Sequence, residues 1–132
     1  MSIENLVTSL ELSKKLKEAG VPQRSVFYWE CEYNINKLVA KKIVYKYEIV
    51  PDIVPTEMKI RYGNEVFYYS AYLAGELGEL LPSGTKLWRR NFWFCETFGG
   101  SKLIFTDLEA EARGRMLLWL IKNKYVRVEE LK

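Results

Sequence analysis

Apolar residues recur at helical spacing in three stretches of the chain. Leu12, Leu16 and Ala19 follow a Thr8 and Glu11 pair with capping-box spacing, which predicts an opening helix ended by Gly20 and Pro22. Leu73, Leu77, Leu80 and Leu81 share a face across residues 70–81, with Ser70 placed as N-cap and Pro82 as the stop. A second capping box at residues 106–109, opened by Thr106 and closed by Glu109, starts a helix to about residue 124. Acidic residues come first in that helix and basic residues last, as the helix dipole favours.

Between the helices the pattern changes to aromatic and β-branched runs. Residues 26–32 (VFYWECE) and 43–50 predict strands, with residues 34–42 as a polar connection between them. Pro51 and Pro55 bracket a break, after which residues 57–62 predict a short edge strand closed by a turn at Gly63 and Asn64. Residues 87–96 (LWRRNFWFCE) and 103–105 flank Gly99, Gly100 and Ser101, the composition of a hairpin. The order of helix, strands, helix, hairpin and helix predicts an α+β fold, a mainly antiparallel sheet with about three helices packed on it, in one domain spanning residues 1–132.

Composition agrees with a folded chain that needs no staples. Its 132 residues are 48% hydrophobic and 14% aromatic, enough to bury a core without disulfide or metal. The net charge of +3 is spread along the chain with no charged tail, too little clustering to argue by itself for a polyanionic partner. Cys31 and Cys95 lack the paired spacing of a zinc or redox motif and are expected as reduced, buried small hydrophobes, with a disulfide between them as the alternative. No export signal and no apolar run of membrane-spanning length is evident, so the expected location is the cytoplasm, with no membrane partner.

Three blocks, residues 10–29 (LELSKKLKEAGVPQRSVFYW), 70–82 (SAYLAGELGELLP) and 106–123 (TDLEAEARGRMLLWLIKN), resemble a family of small phage- and prophage-type bacterial proteins with no assigned activity. The matching positions are Gly20 and Gln23; Phe27, Tyr28 and Trp29; Ala74, Glu76, Leu77, Gly78, Glu79, Leu81 and Pro82; and Glu109, Ala112, Arg113, Met116 and Leu117. The resemblance implies a phage-related origin and brings no catalytic residue with it.

With no histidine, the chain lacks serine and cysteine triads, the commonest neutral-pH general base and most transition-metal sites. Phosphate-binding glycine loops and acidic calcium loops are absent as well. No cofactor, metal or catalytic residue is therefore expected. Any enzyme chemistry would fall to carboxylates, Glu76 with Glu79 or Glu109 with Glu111, and both pairs read more simply as a solvated face and a helix start.

The segment holding Trp88, Arg89, Arg90 and Trp93 interleaves cations with aromatics, the mixture with which sheets stack bases and hold phosphates. Read as one strand, it puts Trp88, Arg90, Phe92 and Phe94 on one face and Arg89 and Trp93 on the other. The bland alternative buries Phe92 and Phe94 under a helix. Trp119 falls on the polar side of the last helix, a candidate interface anchor unless the C-terminal segment 125–131 docks over it. Ala71, Ala74, Gly75 and Gly78 form a small-residue stripe on which a strand of the same chain is expected to pack, and Arg113 should snorkel or meet a buried carboxylate. The expected function is non-catalytic binding to a protein partner or to a second copy. The rival is single-stranded nucleic-acid binding through Trp88, Arg89, Arg90 and Trp93, assisted by Lys41, Lys42 and Lys46.

Overall fold

The computed structural model describes residues 2–46 and 58–131. The described elements run α1 (Leu10–Glu18), β1 (Phe27–Asn34), β2 (Lys37–Tyr45), β3 (Lys59–Arg61), β4 (Asn64–Ala71), α2 (Ala74–Leu80), β5 (Lys86–Arg89), β6 (Trp93–Thr97), β7 (Lys102–Thr106) and α3 (Glu109–Lys122). The fold is α+β with antiparallel pairing throughout. Instead of one sheet there are two, a four-stranded sheet in the order β2-β1-β4-β3 and a three-stranded sheet in the order β5-β6-β7.

Several expectations move. Residues 34–42 are no connection: Ile35 and Asn36, both at positive φ, form a two-residue turn, and β2 pairs with β1 along its length. Asn34 and Asn36 were the turn signal, obscured by an isoleucine where the turn prefers Asn, Asp or Gly. Residues 47–50, the two prolines of the expected break and Glu57 lie outside the described residues. Residues 64–71 form a central strand, so Ser70 is a buried strand residue, and α2 starts at Ala74. Its first turn is closed by Glu76, whose carboxylate accepts the Leu73 N–H at 2.8 Å and the Val26 N–H at 3.0 Å.

At α1 the cap is Ser9, whose hydroxyl accepts the Leu12 N–H. Thr8, fully buried, accepts the Tyr72 N–H at 3.1 Å and pairs with the Ser13 hydroxyl at 2.7 Å. The reciprocal acid is Glu111 of α3, which accepts the Ser9 N–H, in place of Glu11. Thr106 ends β7 and donates to the Leu108 carbonyl, so α3 begins without a side-chain cap.

The third helix lies between two packing partners. Leu117 and Ala110 join Leu12, Leu16, Leu77 and Tyr72 in a core built with α1 and α2, while Ala112, Met116 and Leu120 pack with Cys95 against the three-stranded sheet. One face of the four-stranded sheet carries Trp29, Cys31 and Ala71 packed with Val7 and, at the rim, Leu10. Cys31 and Cys95 are free, fully buried and in separate clusters.

Two glycines are required by close approach. A Cβ on Gly78 would stand 2.1 Å from the Arg113 guanidinium, which donates to the Ala74 carbonyl and pairs with Glu109 at 3.1 Å. The small-residue stripe thus receives an arginine of α3, not the expected strand, and the carboxylate that Arg113 meets is only part-buried. On Gly114 a Cβ would lie 2.7 Å from Leu12 Cδ2 and 3.1 Å from Thr8 Cγ2, where Thr8 is fixed by its hydrogen bonds. Gly114→Ala gains about 1 kcal/mol of helix propensity, yet overpacking costs about 1–3 kcal/mol. We expect a net loss of about 1 kcal/mol, read as a lower urea midpoint at unchanged slope; a higher midpoint would show that α1 yields freely.

Candidate aromatic interaction surface

The expected strand 87–96 breaks at Arg90, Asn91 and Phe92 into the β5–β6 hairpin, with Arg89 opposite Trp93 and Trp88 opposite Phe94. Asn91, the one turn-forming residue of the run, marks the break. The chain reverses there, and the facing deduced from a continuous strand still holds for the paired residues. Trp88 and Phe94 do share a face, and β6–β7 pairing adds Phe105 opposite Phe94. An aromatic row therefore crosses all three strands on the side turned away from α3. Trp88 stacks on Phe94 with ring centroids 5.5 Å apart and planes within 7°. Phe94 and Phe105 lie 5.8 Å apart, and Phe92 in the turn reaches Phe105 at 5.9 Å.

These rings are open to solvent: Trp88 is 36% exposed, Phe92 41% and Phe105 58%. By the two-residue period of a strand, Lys86, Glu96 and Leu103, aligned in register, form a second row on the same face. Phe92 and Phe94 are thus not under a helix.

The other face is core. Leu87, Cys95 and Ile104 meet Met116 and Leu120 of α3, and Trp93 packs there with Trp119 at the margin. Burial pushes the Cys95 thiol up to about 11, which leaves it protonated and unreactive. Arg89 sits 5.7 Å over the Trp93 ring and Lys102 5.5 Å over the Trp119 ring. Trp119 also stacks on Tyr125 at 5.5 Å, so it is half-buried, with the C-terminal segment over it, the alternative to a free anchor.

Of the expected surface, Trp88 and Arg90 lie exposed on or beside the outer face, while Arg89 and Trp93 form a pair on the inner one. Lys41 and Lys42 stand on β2 in the other sheet and Lys46 just beyond it, so the structure does not gather them with the aromatic segment. Phe92, Phe94, Phe105 and Lys86 take their places. Strand parity already set Phe94 on the face of Trp88, and the register with β7 adds Phe105.

The carboxylates have structural tasks. Both oxygens of Glu76 hold backbone N–H groups, Glu109 pairs with Arg113, and Glu111 caps Ser9 and pairs with Arg115 at 3.7 Å. Among the described residues no group of three or more Cys, Asp or Glu could hold a metal ion, and no helix is long and apolar enough to cross a membrane.

On the opposite side of the four-stranded sheet from Trp29, Glu30 is buried. Arg61 donates to it at 2.9 and 3.4 Å, Tyr68 at 2.9 Å, and Lys42 stands 3.8 Å away. Burial alone would raise its pKa, but the hydrogen bonds from Arg61 and Tyr68 and the charges of Arg61 and Lys42 together outweigh it and hold the carboxyl below its ordinary value. The Tyr68 hydroxyl, buried against this anion, is pushed up to about 12. This is a closed ion-pair network on a sheet face and offers no free base.

Comparison of the chain with protein-family models, curated proteins and solved structures finds no match.

Proposed function

We propose that this protein acts by binding, without catalysis, and that its ligand is single-stranded nucleic acid laid across the outer face of β5-β6-β7. The observation that carries this reading is the row Trp88, Phe94 and Phe105 in register on three neighbouring strands, with the outer two rings exposed and Phe94 half-buried between them. Such a row offers successive bases a stacking surface indifferent to sequence, each base contributing about 1–3 kcal/mol. Of the four cations between residues 86 and 106, Lys86 and Arg90 stand on or beside this face, while Arg89 and Lys102 lie over Trp93 and Trp119 on the inner one; the single carboxylate among them is Glu96. Lys86 and Arg90 supply the phosphate contacts that a stacking face needs. A phage-type accessory role, implied by the resemblance of three sequence blocks, is the setting in which we place this activity.

A protein partner is the second reading. Leu103 at 48% exposure and Phe92 extend the rings into a continuous apolar patch, and Lys86 opposite Glu96 gives it the mixed rim of a protein interface.

Titration of tryptophan fluorescence with oligothymidylate and oligouridylate of about fifteen nucleotides separates the two. Nucleic-acid binding gives saturable quenching through Trp88, and the logarithm of the affinity falls with log salt at a slope of about −1.4 for the two cations Lys86 and Arg90. No response at low salt would remove nucleic acid and leave the protein partner.

A further inference from the structure

Both hairpin turns of the four-stranded sheet lie at one end of it, because Tyr33, the last residue but one of β1, pairs with Glu65 near the start of β4. With strand order β2-β1-β4-β3, the two turns stand about 10 Å apart, two strand spacings. Each carries a large apolar residue in the left-handed region, Ile35 at φ 50° and Tyr62 at φ 51°. These side chains are 93% and 98% exposed. A turn of this kind favours Asn, Asp or Gly, and a β-branched residue there is a backbone outlier that no internal contact of Ile35 explains.

The sheet face behind the turns continues the pattern. Leu38, Tyr33, Glu65 and Ile60 form one cross-strand row, with Leu38 and Ile60 exposed, and Phe67 lies behind it with its ring edge-on to Tyr33 at 5.7 Å. The helix α1 packs over the other half of this face, where Lys14 reaches only as far as the Tyr33 hydroxyl at 2.8 Å. By strand parity Lys41, opposite Cys31 on β2, shares the face with Glu65 on β4. Both are exposed, and neither has an ion pair among the described residues.

We infer that this end of the sheet is the interface between two copies of the chain related by a two-fold axis. The patch carries Lys41 and Glu65, exposed and without an ion pair among the described residues, on two different strands with apolar side chains between. A two-fold axis satisfies both at once by setting Lys41 of each copy against Glu65 of the other. A polyanion or an anionic lipid surface would set like charge against Glu65, which lies between Tyr33 and Ile60 in the middle of the patch. Ile35 and Tyr62 then bury against the second copy, which accounts for apolar residues in turns that disfavour them. The surface is separate from the aromatic row, so the inference stands or falls without the nucleic-acid proposal.

Sedimentation equilibrium of the intact chain tests it. The wild type should be dimeric at micromolar concentrations, and the double variant Ile35→Asn, Tyr62→Asn should dissociate at least tenfold more readily. Circular dichroism and melting at a concentration where both are monomeric should show the variant folded and no less stable, since Asn tolerates the left-handed region. Lys41→Glu alone and Glu65→Lys alone should each weaken the dimer, and the two together should restore it. A wild type that stays monomeric up to several hundred micromolar, or a dimer indifferent to both charge reversals and to the turn variant, overturns the inference.

Discussion

Replacing Trp88 and Phe105 together by alanine is expected to weaken binding of a single-stranded oligonucleotide by about 100-fold, the loss of two stacking surfaces at about 1–3 kcal/mol each. Both rings lie on the solvent side of the three-stranded sheet, and the core beneath is formed by Cys95, Ala112, Met116 and Leu120 on the other side. Folding should therefore be little affected, which circular dichroism would verify. Lys86→Ala with Arg90→Ala acts differently. It removes two phosphate contacts, so affinity falls at low salt and the salt slope becomes shallower by about 1.4, at about 0.7 per contact on a single strand. If the ring variant binds like the wild type, bases do not stack on this face.

The Arg61→Ala variant is expected to lose about 2 kcal/mol of stability at neutral pH, at the low end for breaking a buried ion pair because the Arg61 side chain is itself 37% exposed. Glu30 would keep its burial, with Tyr68 and the more distant Lys42 as its remaining partners. The pH dependence follows from the direction of the Glu30 shift. In the wild type the folded pKa lies below the unfolded one, so the contribution of Glu30 is complete above the unfolded carboxylate range near 4.3 and is lost as pH falls through the folded value. In the variant that advantage shrinks or reverses. The stability difference between the two proteins, measured by urea unfolding from pH 7 downward, should therefore narrow below about pH 4. A difference that stays constant with pH would show that Arg61 acts by packing and not through the charge of Glu30.

Helices were legible where their cause is local. The apolar spacing of Leu12 and Leu16 and that of Met116, Leu117 and Leu120 place α1 and α3, and the Gly99 and Gly100 turn between β6 and β7 follows from glycines at φ 65° and 97°. What stayed hidden was set by tertiary partners. Ser70 has the composition of a cap but is drawn into β4 by pairing with Tyr28, and Glu11 has the spacing of a capping acid whose place Glu111 takes from α3. In the candidate surface, Trp88 and Arg90 were identified from their neighbours in sequence. Strand parity also put Phe94 on the face of Trp88, whereas Phe105 could not be placed there, because its membership of that face depends on the register of β6 with β7. Trp93 and Trp119 are half-buried, the first on the face that strand parity gave it with Arg89 and the second stacked on Tyr125.

The central claim is that single-stranded nucleic acid lies on the outer face of β5-β6-β7. It is tested most directly by recording amide and indole NMR shifts of the protein during titration with oligothymidylate. The claim predicts progressive shifts at β5, β6 and β7 and at the Trp88 indole N–H, with β1, β2 and the buried α1 core unmoved. Shifts centred instead on β2 around Lys41 and Lys42, or no shifts at low salt, would contradict it.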